Sequence, residues 1–158
     1  MENTGTHKIE DPALHIVPAN LVKRLANYFI DVIFFSFLLY IVLNIIAPFS
    51  PLANKFLTLK PETVKLIDQL LLSFIYGLYM SVIESLLKGK TIGKYITGTR
   101  AVTENGLPIS TQTAFVRGLI RIIPFEQLSA ISFPPYPWHD RWSKSIVADE
   151  AKSVLPKS

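Results

Sequence analysis

The sequence contains no cysteine, and this absence limits the kinds of protein that the chain can be. Its 158 residues include 3 histidines, 2 methionines and 12 acidic residues. Without cysteine the chain cannot be a disulfide-stapled scaffold and cannot hold a metal ion through thiolates. The net charge is +4, but no pattern of a nucleic-acid-binding module appears. The excess of basic residues therefore favours cytoplasmic flanks beside an anionic inner leaflet over a nucleic-acid partner.

The chain also lacks a recognisable catalytic or metal-binding pattern. His139 precedes Asp140, but no Ser or Cys nucleophile motif accompanies the pair, and the other two histidines lie in the polar N-terminal stretch. No spacing typical of metal ligands exists. The flanking Trp138 and Trp142 favour anchoring of this segment at a membrane interface. We therefore expect no enzymatic activity, no metal ion and no cofactor.

Apolar residues make up 49% of the sequence, and they are concentrated in two long blocks. The first block covers about residues 21–47 and ends before Pro48. The second covers about residues 66–87 and carries no charge between Asp68 and Glu84. About 20 apolar residues are enough to cross the hydrocarbon core of a bilayer. The sequence therefore predicts a hairpin of two transmembrane helices, joined by a link that is too short to form a domain.

The basic residues predict how this hairpin is oriented. Seven basic residues lie before the first span or after the second: Lys8, Lys23, Arg24, Lys88, Lys90, Lys94 and Arg100. Three lie in the link between the spans: Lys55, Lys60 and Lys65. Because positive residues collect on the cytoplasmic side, both termini are predicted to be cytoplasmic. The first 20 residues are polar, and no cleavage site is evident near the start of the first block, so this block is expected to remain as an anchor.

The residues after the second span have a different pattern of polar and apolar residues from the membrane-spanning blocks. Residues 99–103 read as a short strand that precedes an Asn105-Gly106 turn, which indicates a β-hairpin-like segment. Ser110 or Thr111 can cap a helix over about residues 111–123, with apolar and arginine side chains on different faces. That pattern is typical of an amphipathic helix in the membrane surface. Whether residues 113–133 form a third span stays open.

Two acids within the spans are the most informative residues. An acid inside a span costs about 2.5–3.5 kcal/mol on insertion scales, so it is normally paired or functional. Arg24 precedes Asp31 by two helical turns, about 10 Å of rise, so we expect Asp31 to find its partner on another segment. Glu84 lies at a similar depth in an antiparallel hairpin. We predict that Asp31, Glu84 and either Arg117 or Arg121 gather at the inner leaflet, with Arg24 at the rim.

This predicted cluster has two interpretations. It can be a structural group of charges that docks the surface helix onto the hairpin, or a site for a proton or a monovalent cation near the inner leaflet. The first is favoured because a neutralised cluster requires no transport function.

Small residues recur at intervals of four in the second span. They are Ser73, Gly77, Ser81 and Ser85. A ridge of small residues lets two helices approach closely in a membrane. Packing against the first span is the favoured interpretation, and self-association of two protomers is the alternative.

The ordered set of residues over about 18–148 resembles the RDD family of small bacterial integral membrane proteins, which is named for one arginine and two aspartates. The resemblance runs through residues 91–106, Arg117, Arg121 and Pro124, and it ends in residues 139–147. It implies that Arg24, Asp31 and Asp140 are the family's arginine and two aspartates. It also implies a location in the bacterial cytoplasmic (inner) membrane. Cation/proton antiport, proposed for some members, becomes one candidate activity.

These observations define one expected architecture. The fold class is an all-α membrane protein, with a two-span hairpin, an interfacial amphipathic helix and a short β-hairpin-like segment. We divide the chain into a polar tail (1–19), a membrane domain (20–148) and a frayed tail (149–158). A non-enzymatic membrane scaffold or accessory protein is the favoured function. A sodium/proton antiporter that works as a homo-oligomer is the alternative, because two spans cannot enclose a pathway.

Overall fold

A computed structural model describes residues 14–58, 60, 63–123, 126, 129 and 137–156. The described part is mostly helical and also contains a small two-stranded sheet. Its elements are α1 (Leu21–Ile46), α2 (Pro51–Leu57), α3 (Leu66–Leu86), α4 (Ile92–Thr97), β1 (Thr99–Thr103), α5 (Thr111–Ile120), α6 (Trp138–Trp142) and β2 (Ser145–Asp149).

The two predicted spans coincide with two long helices, α1 and α3, which are candidate membrane-spanning helices. The side chain of Asn20 caps α1 by accepting a hydrogen bond from the Lys23 backbone amide at 2.9 Å. At the start of α3 the roles are reversed, because the side chain of Asp68 within the helix accepts the backbone amide of the capping residue Lys65 at 3.3 Å. Within the described residues, α1 and α3 are the helices long and apolar enough to cross a membrane.

The link between the two spans contains a short helix. Ser50 caps α2, and Pro51 occupies its first position, where a missing amide costs nothing. Lys55 of α2 forms an ion pair with Asp68 at 2.6 Å. The link is therefore attached to the beginning of α3.

Helix α4 packs tightly on α1 because Gly93 has no side chain. A Cβ atom at Gly93 would lie 2.6 Å from the backbone oxygen of Asn27 and 2.9 Å from its Cα atom. The Asn27 side chain lies between Thr97 and Thr99, at 2.5 and 2.9 Å from their hydroxyl oxygens. The segment that follows α3 therefore turns back and docks on the first span.

The sheet corrects the expectation of an all-α fold. Strand β1 has the predicted bounds, and the predicted turn follows it, with the Thr103 amide bonded to the Leu107 carbonyl at 2.8 Å. The main partner of β1, however, is β2, which pairs with it antiparallel from Thr99 opposite Asp149 to Thr103 opposite Ser145. The short hairpin after β1 is reduced to one bridge, between Val102 and Pro108.

Both described ends of the chain join this sheet. The Ala19 amide donates to the Val147 carbonyl at 2.8 Å, and the Asp149 amide donates to the Val17 carbonyl at 2.9 Å. A further bridge joins His15 to Val154. The prediction of a frayed C-terminal tail is therefore wrong for Asp149 and Val154, because backbone hydrogen bonds hold them to Val17 and His15.

Helix α5 begins close to the predicted residue and packs along α3. Gly77 of α3 faces Gly118, where a Cβ atom on Gly77 would lie 2.6 Å from the Gly118 carbonyl oxygen. The Ser81 hydroxyl lies 3.4 Å from the Phe115 carbonyl oxygen. The predicted contact of this small-residue ridge with the first span is wrong for Gly77 and Ser81: they pack against α5, because glycines on both helices permit close approach.

The distribution of side chains is the reverse of that in a water-soluble domain. Large apolar side chains on the outer faces of α1 and α3, such as Ile33 and Leu66, are largely exposed, whereas Arg117 and Asp140 are fully buried. On α5, Phe115 is 48% exposed although the neighbouring arginines are buried. Such a surface favours an apolar environment, because in water these large apolar side chains would stay in contact with solvent.

Candidate functional site

Glu84 is the centre of a group of buried charges. It lies in the last turn of α3, and Lys94 of α4 binds one of its carboxylate oxygens. Arg117 Nε donates to the other oxygen at 3.0 Å, and Arg121 Nη2 lies 3.1 Å from the first. Three cations therefore surround one carboxylate that has no exposed surface. The predicted meeting of Glu84 with the arginines of the α5 segment agrees with this geometry.

Asp140 is the second acid of this group. It lies in α6 and receives Arg117 Nη1 at 2.6 Å and Arg24 Nη1 at 2.5 Å. Arg117 therefore bridges Glu84 and Asp140, and it also donates to the Ser145 hydroxyl of β2. The term "charge cluster" is used below for these six connected side chains: Arg24, Glu84, Lys94, Arg117, Arg121 and Asp140.

Arg24 lies inside the charge cluster, which corrects its predicted place at the rim. Its side chain is 6% exposed, and Nε donates to the Ala19 carbonyl at 3.0 Å. The reason is that α6 brings Asp140 to the beginning of α1, which the order of residues along the chain does not reveal. An ion pair thus connects two segments that are 116 positions apart.

Asp31 is buried, but its direct partners are not arginines. Its two carboxylate oxygens accept the Thr91 hydroxyl at 2.6 Å and the Gly93 backbone amide at 2.8 Å. Asp31 therefore binds the N-terminus of α4, where free amides and the helix dipole favour a negative charge. The expectation that its partner lies on another segment agrees with this geometry, and the partners are a hydroxyl and a backbone amide.

His139 extends the network beyond the charge cluster. Its Nδ1 lies 2.6 Å from a Glu126 carboxylate oxygen, and its Nε2 lies 3.4 Å from Asp140. Burial lowers the pKa of His139 below its ordinary value, although the adjacent Asp140 opposes this effect. The imidazole lies between two carboxylates and links them, and no serine or threonine hydroxyl is bonded to its ring within the described part of the chain.

Burial and neighbouring charges shift the pKa values of the cluster members by different amounts. Burial and the nearby arginines lower the pKa of Lys94 to about 8, although Glu84 counteracts them. Burial raises the pKa of Asp140, but Arg117, His139 and Arg24 outweigh burial and hold it well below its usual range. Asp140 is therefore charged at any physiological pH, whereas Lys94 is the cluster member closest to losing its proton at neutral pH.

A cavity of about 1210 Å³ lies between α1 and α3. Its walls come from the inner faces of the two helices, including Val32, Ser73 and Met80. Arg24 and Arg121 line its charged end. Phe35 lies beside Tyr76 and Tyr79, with ring centroids 5.1 and 5.2 Å apart, so the spans touch through aromatic rings.

Sequence reasoning missed several residues of this network. The sequence indicates Lys94 as a cytoplasmic flank and as part of the stretch that resembles the family, and it does not indicate Thr91, Glu126 or Ser145 as partners of the buried charges. Lys94 was detectable in part: it lies close to the end of the second span, within reach of Glu84. The roles of Glu126 and Ser145 depend on long-range packing, for which the chain carries no local signal.

Arg24 and Asp140 are paired in the charge cluster, and Asp31 is joined to it through Thr91, whose hydroxyl oxygen accepts the Lys94 backbone amide at 3.3 Å. The sequence pattern of the RDD family matches residues 18–144. The chain belongs to the RDD family. No curated protein and no solved structure matches the chain. The RDD match covers every member of the charge cluster, so the cluster lies entirely within the family region.

Proposed function

We propose that this RDD-family protein is a non-enzymatic membrane scaffold or accessory protein in which the charge cluster holds the helices together. The observation that carries this proposal is the saturation of both central acids. Glu84 has three cationic partners and Asp140 has two, and neither acid is exposed. Carboxylates with this many partners offer no free ligand position to a substrate. Their removal is expected to affect folding first.

The proposal places the chain in the bacterial cytoplasmic (inner) membrane, with both termini in the cytoplasm. Two apolar helices and the RDD family suggest a membrane protein. The basic residues that flank the two spans favour the cytoplasmic side for both ends. The hydrogen bonds between residues 15–19 and residues 147–154 support this arrangement, because they require the two ends to meet.

Labelling of single cysteines tests this topology, and the absence of native cysteine gives a clean background. We choose Asn54→Cys in α2 and Lys152→Cys near the C-terminus, because both residues are exposed. An impermeant maleimide added to intact cells should label position 54 and not position 152. Lysed cells should show label at both positions. Labelling of 152 but not of 54 in intact cells would reverse the proposed orientation.

A second candidate function is cation/proton exchange by an oligomer. Two observations favour it: the pKa of Lys94 is lowered to about 8, and Lys94 and Arg121 line the cavity between the spans. A group that titrates near neutral pH beside a cavity can exchange protons with a bound cation. In this version Glu84 would receive a sodium ion when Lys94 loses its proton.

Reconstitution distinguishes the two functions. Vesicles that contain the purified protein and an internal pH dye are exposed to a sodium gradient, with protein-free vesicles as the control. The scaffold proposal predicts the same slow pH change in both preparations. A rapid, sodium-dependent pH change that Glu84→Gln abolishes, in a variant that still elutes as a folded protein, would contradict the scaffold proposal and support exchange.

A further inference from the structure

The cavity between α1 and α3 has the layout of a binding site for an amphiphile. Its walls are apolar along most of the two spans, with Leu25 and Leu39 from α1 and Leu70 from α3. One end of the cavity is lined by charged side chains, among them Arg24 and Arg121. Its volume of about 1210 Å³ exceeds the roughly 300–1,000 Å³ typical of sites for small soluble ligands.

The hydrogen-bond donors and acceptors that remain free at the charged end indicate whether the ligand is an anion or a cation. The acids that line the cavity have partners within the protein: Asp31 accepts from Thr91 and Gly93, and Oε1 of Glu126 accepts the His139 backbone amide at 3.3 Å. Both arginines retain unused hydrogen-bond donors.

Arg24 donates from Nε to the Ala19 carbonyl and from Nη1 to Asp140. Arg121 donates from its two terminal nitrogens to Glu84. Within the part of the chain that the structure describes, Arg24 Nη2 and Arg121 Nε donate to no protein atom. The charged end thus offers donors and few acceptors, and this favours an anion over a metal cation.

We propose that this cavity binds one anionic phospholipid, with its phosphate at Arg24 and Arg121 and its acyl chains between α1 and α3. The apolar length of the site matches a chain that ends in the bilayer, whereas a free phosphate ion would leave the walls without a partner. Guanidinium groups suit phosphate because their fixed donors match its oxygens. This inference goes beyond the scaffold role, since it assigns a ligand to the space between the spans.

Native mass spectrometry of the full-length protein in detergent tests the proposal, with phosphatidylglycerol and phosphatidylcholine of the same acyl chains as probes. Two neighbouring substitutions on α1 serve as a matched pair. Val32→Trp fills the cavity, because Val32 lines it. Ile33→Trp places the same ring on the outer face, where Ile33 is 69% exposed.

We expect one phosphatidylglycerol adduct on the wild-type protein and on Ile33→Trp. Val32→Trp should bind phosphatidylglycerol roughly tenfold more weakly, and the wild type should bind phosphatidylcholine roughly tenfold more weakly, a ratio that corresponds to about 1.4 kcal/mol. Equal binding by the two variants would overturn the location of the site. Equal binding of the two lipids by the wild type, a comparison that does not depend on the folding of Val32→Trp, would overturn the phosphate assignment.

A protein dimer in place of the lipid adduct would also overturn the proposal, because a second copy would then occupy the cavity. The inference requires that the chain resides in a bilayer. Carbonate extraction of membranes tests that requirement separately: release of the protein would contradict membrane insertion, whereas retention without a lipid adduct would contradict only the lipid site.

Discussion

At the scale of single residues, the charge cluster is held by partners that are each shared. Arg117 forms ion pairs with both Glu84 and Asp140, and Asp140 forms ion pairs with both Arg117 and Arg24. A buried ion pair adds little net stability over an apolar pair of equal shape, but the removal of one partner leaves an uncompensated charge. The cluster therefore specifies which segments meet, and single substitutions within it are expected to be costly.

Asp31→Asn tests the contact between α1 and the beginning of α4. The substitution keeps the shape but places an amide nitrogen opposite one of two donors, the Thr91 hydroxyl or the Gly93 amide. We expect the free energy of unfolding, measured in mixed detergent micelles, to fall by about 1.5–3 kcal/mol, the usual range for a hydrogen bond to a charged group. Glu104→Gln, at an exposed acid, is the control and should change little.

The opposite outcome for Asp31→Asn would favour proton transport. Unchanged stability, together with the loss of a sodium-driven pH change in vesicles, would mean that this acid carries protons instead of supporting α4. The structural account does not survive that combination of results.

His139 makes stability depend on pH in a predictable direction. Burial lowers its pKa below 6.5, so near that pH the folded protein binds fewer protons than the unfolded chain. The free energy of unfolding therefore rises with pH through this window and falls on acidification. The charged groups that act on His139 are Asp140, Arg121, Glu126 and Arg117.

The substitution His139→Gln should flatten this dependence between about pH 7.5 and 5.5, because glutamine keeps a donor for Glu126 but does not titrate. Unfolding curves at several pH values give the slope for each protein. Asp140 and Glu126, whose pKa values are lowered, contribute stability that is lost only at lower pH. Identical slopes for the wild type and the variant would show that His139 is not the titrating group.

At the scale of elements, the long helices were predictable and their neighbours were not. Residues 21–47 and 66–87 follow from apolar length alone, and α1 and α3 match them to within a residue. The start of α5 follows from the Ser110 cap, whose side chain accepts the Thr113 amide at 3.1 Å. The pairing of β1 with β2 was not predictable, because a local turn after β1 competes with a strand 42 positions further along the chain.

The face of α5 that binds α3 shows the same limit. The sequence places arginines and apolar side chains on different faces but does not say which face is covered. The covered face is the one with Arg117, and Phe115 faces outward. In water the opposite choice would be correct, so the assignment depends on the solvent around the helix.

Gly118→Ala tests the close contact of α5 with α3. In an isolated helix this change is favourable by about 1 kcal/mol. Here the new Cβ atom would lie 2.4 Å from the Gly77 carbonyl oxygen and 1.8 Å from the Ser81 hydroxyl. The Ser81 side chain can rotate but the Gly77 backbone cannot, so we expect a net loss of about 1–3 kcal/mol in the free energy of unfolding.

The matched control is Gln112→Ala on the exposed face of the same helix, which should be neutral or slightly stabilising. Thermal unfolding in detergent measures both variants. A Gly118→Ala protein as stable as the control would mean that the two helices are further apart than described.

At the scale of the whole molecule, charges from distant parts of the chain meet at one place. The charge cluster joins α1, α3, α4, α6 and the α5 segment, and the sheet beside it joins both described ends of the chain. The RDD match over residues 18–144 covers these five helices and β1, and it ends directly before β2. The central claim is that ion pairing between distant segments, above all Arg24 with Asp140, holds this arrangement.

A double-mutant cycle of Arg24→Gln and Asp140→Asn tests that claim most directly, with the free energy of unfolding in detergent as the readout. The partly exposed pair Arg100 and Glu150, 3.2 Å apart with side chains 27% and 29% exposed, provides a parallel cycle that should give less than about 1 kcal/mol. For Arg24 and Asp140 we predict a coupling energy of at least about 1.5 kcal/mol, so that the double variant loses much less than the sum of the single losses. Losses that add to within about 0.5 kcal/mol would contradict the claim, because the two charges would then act independently.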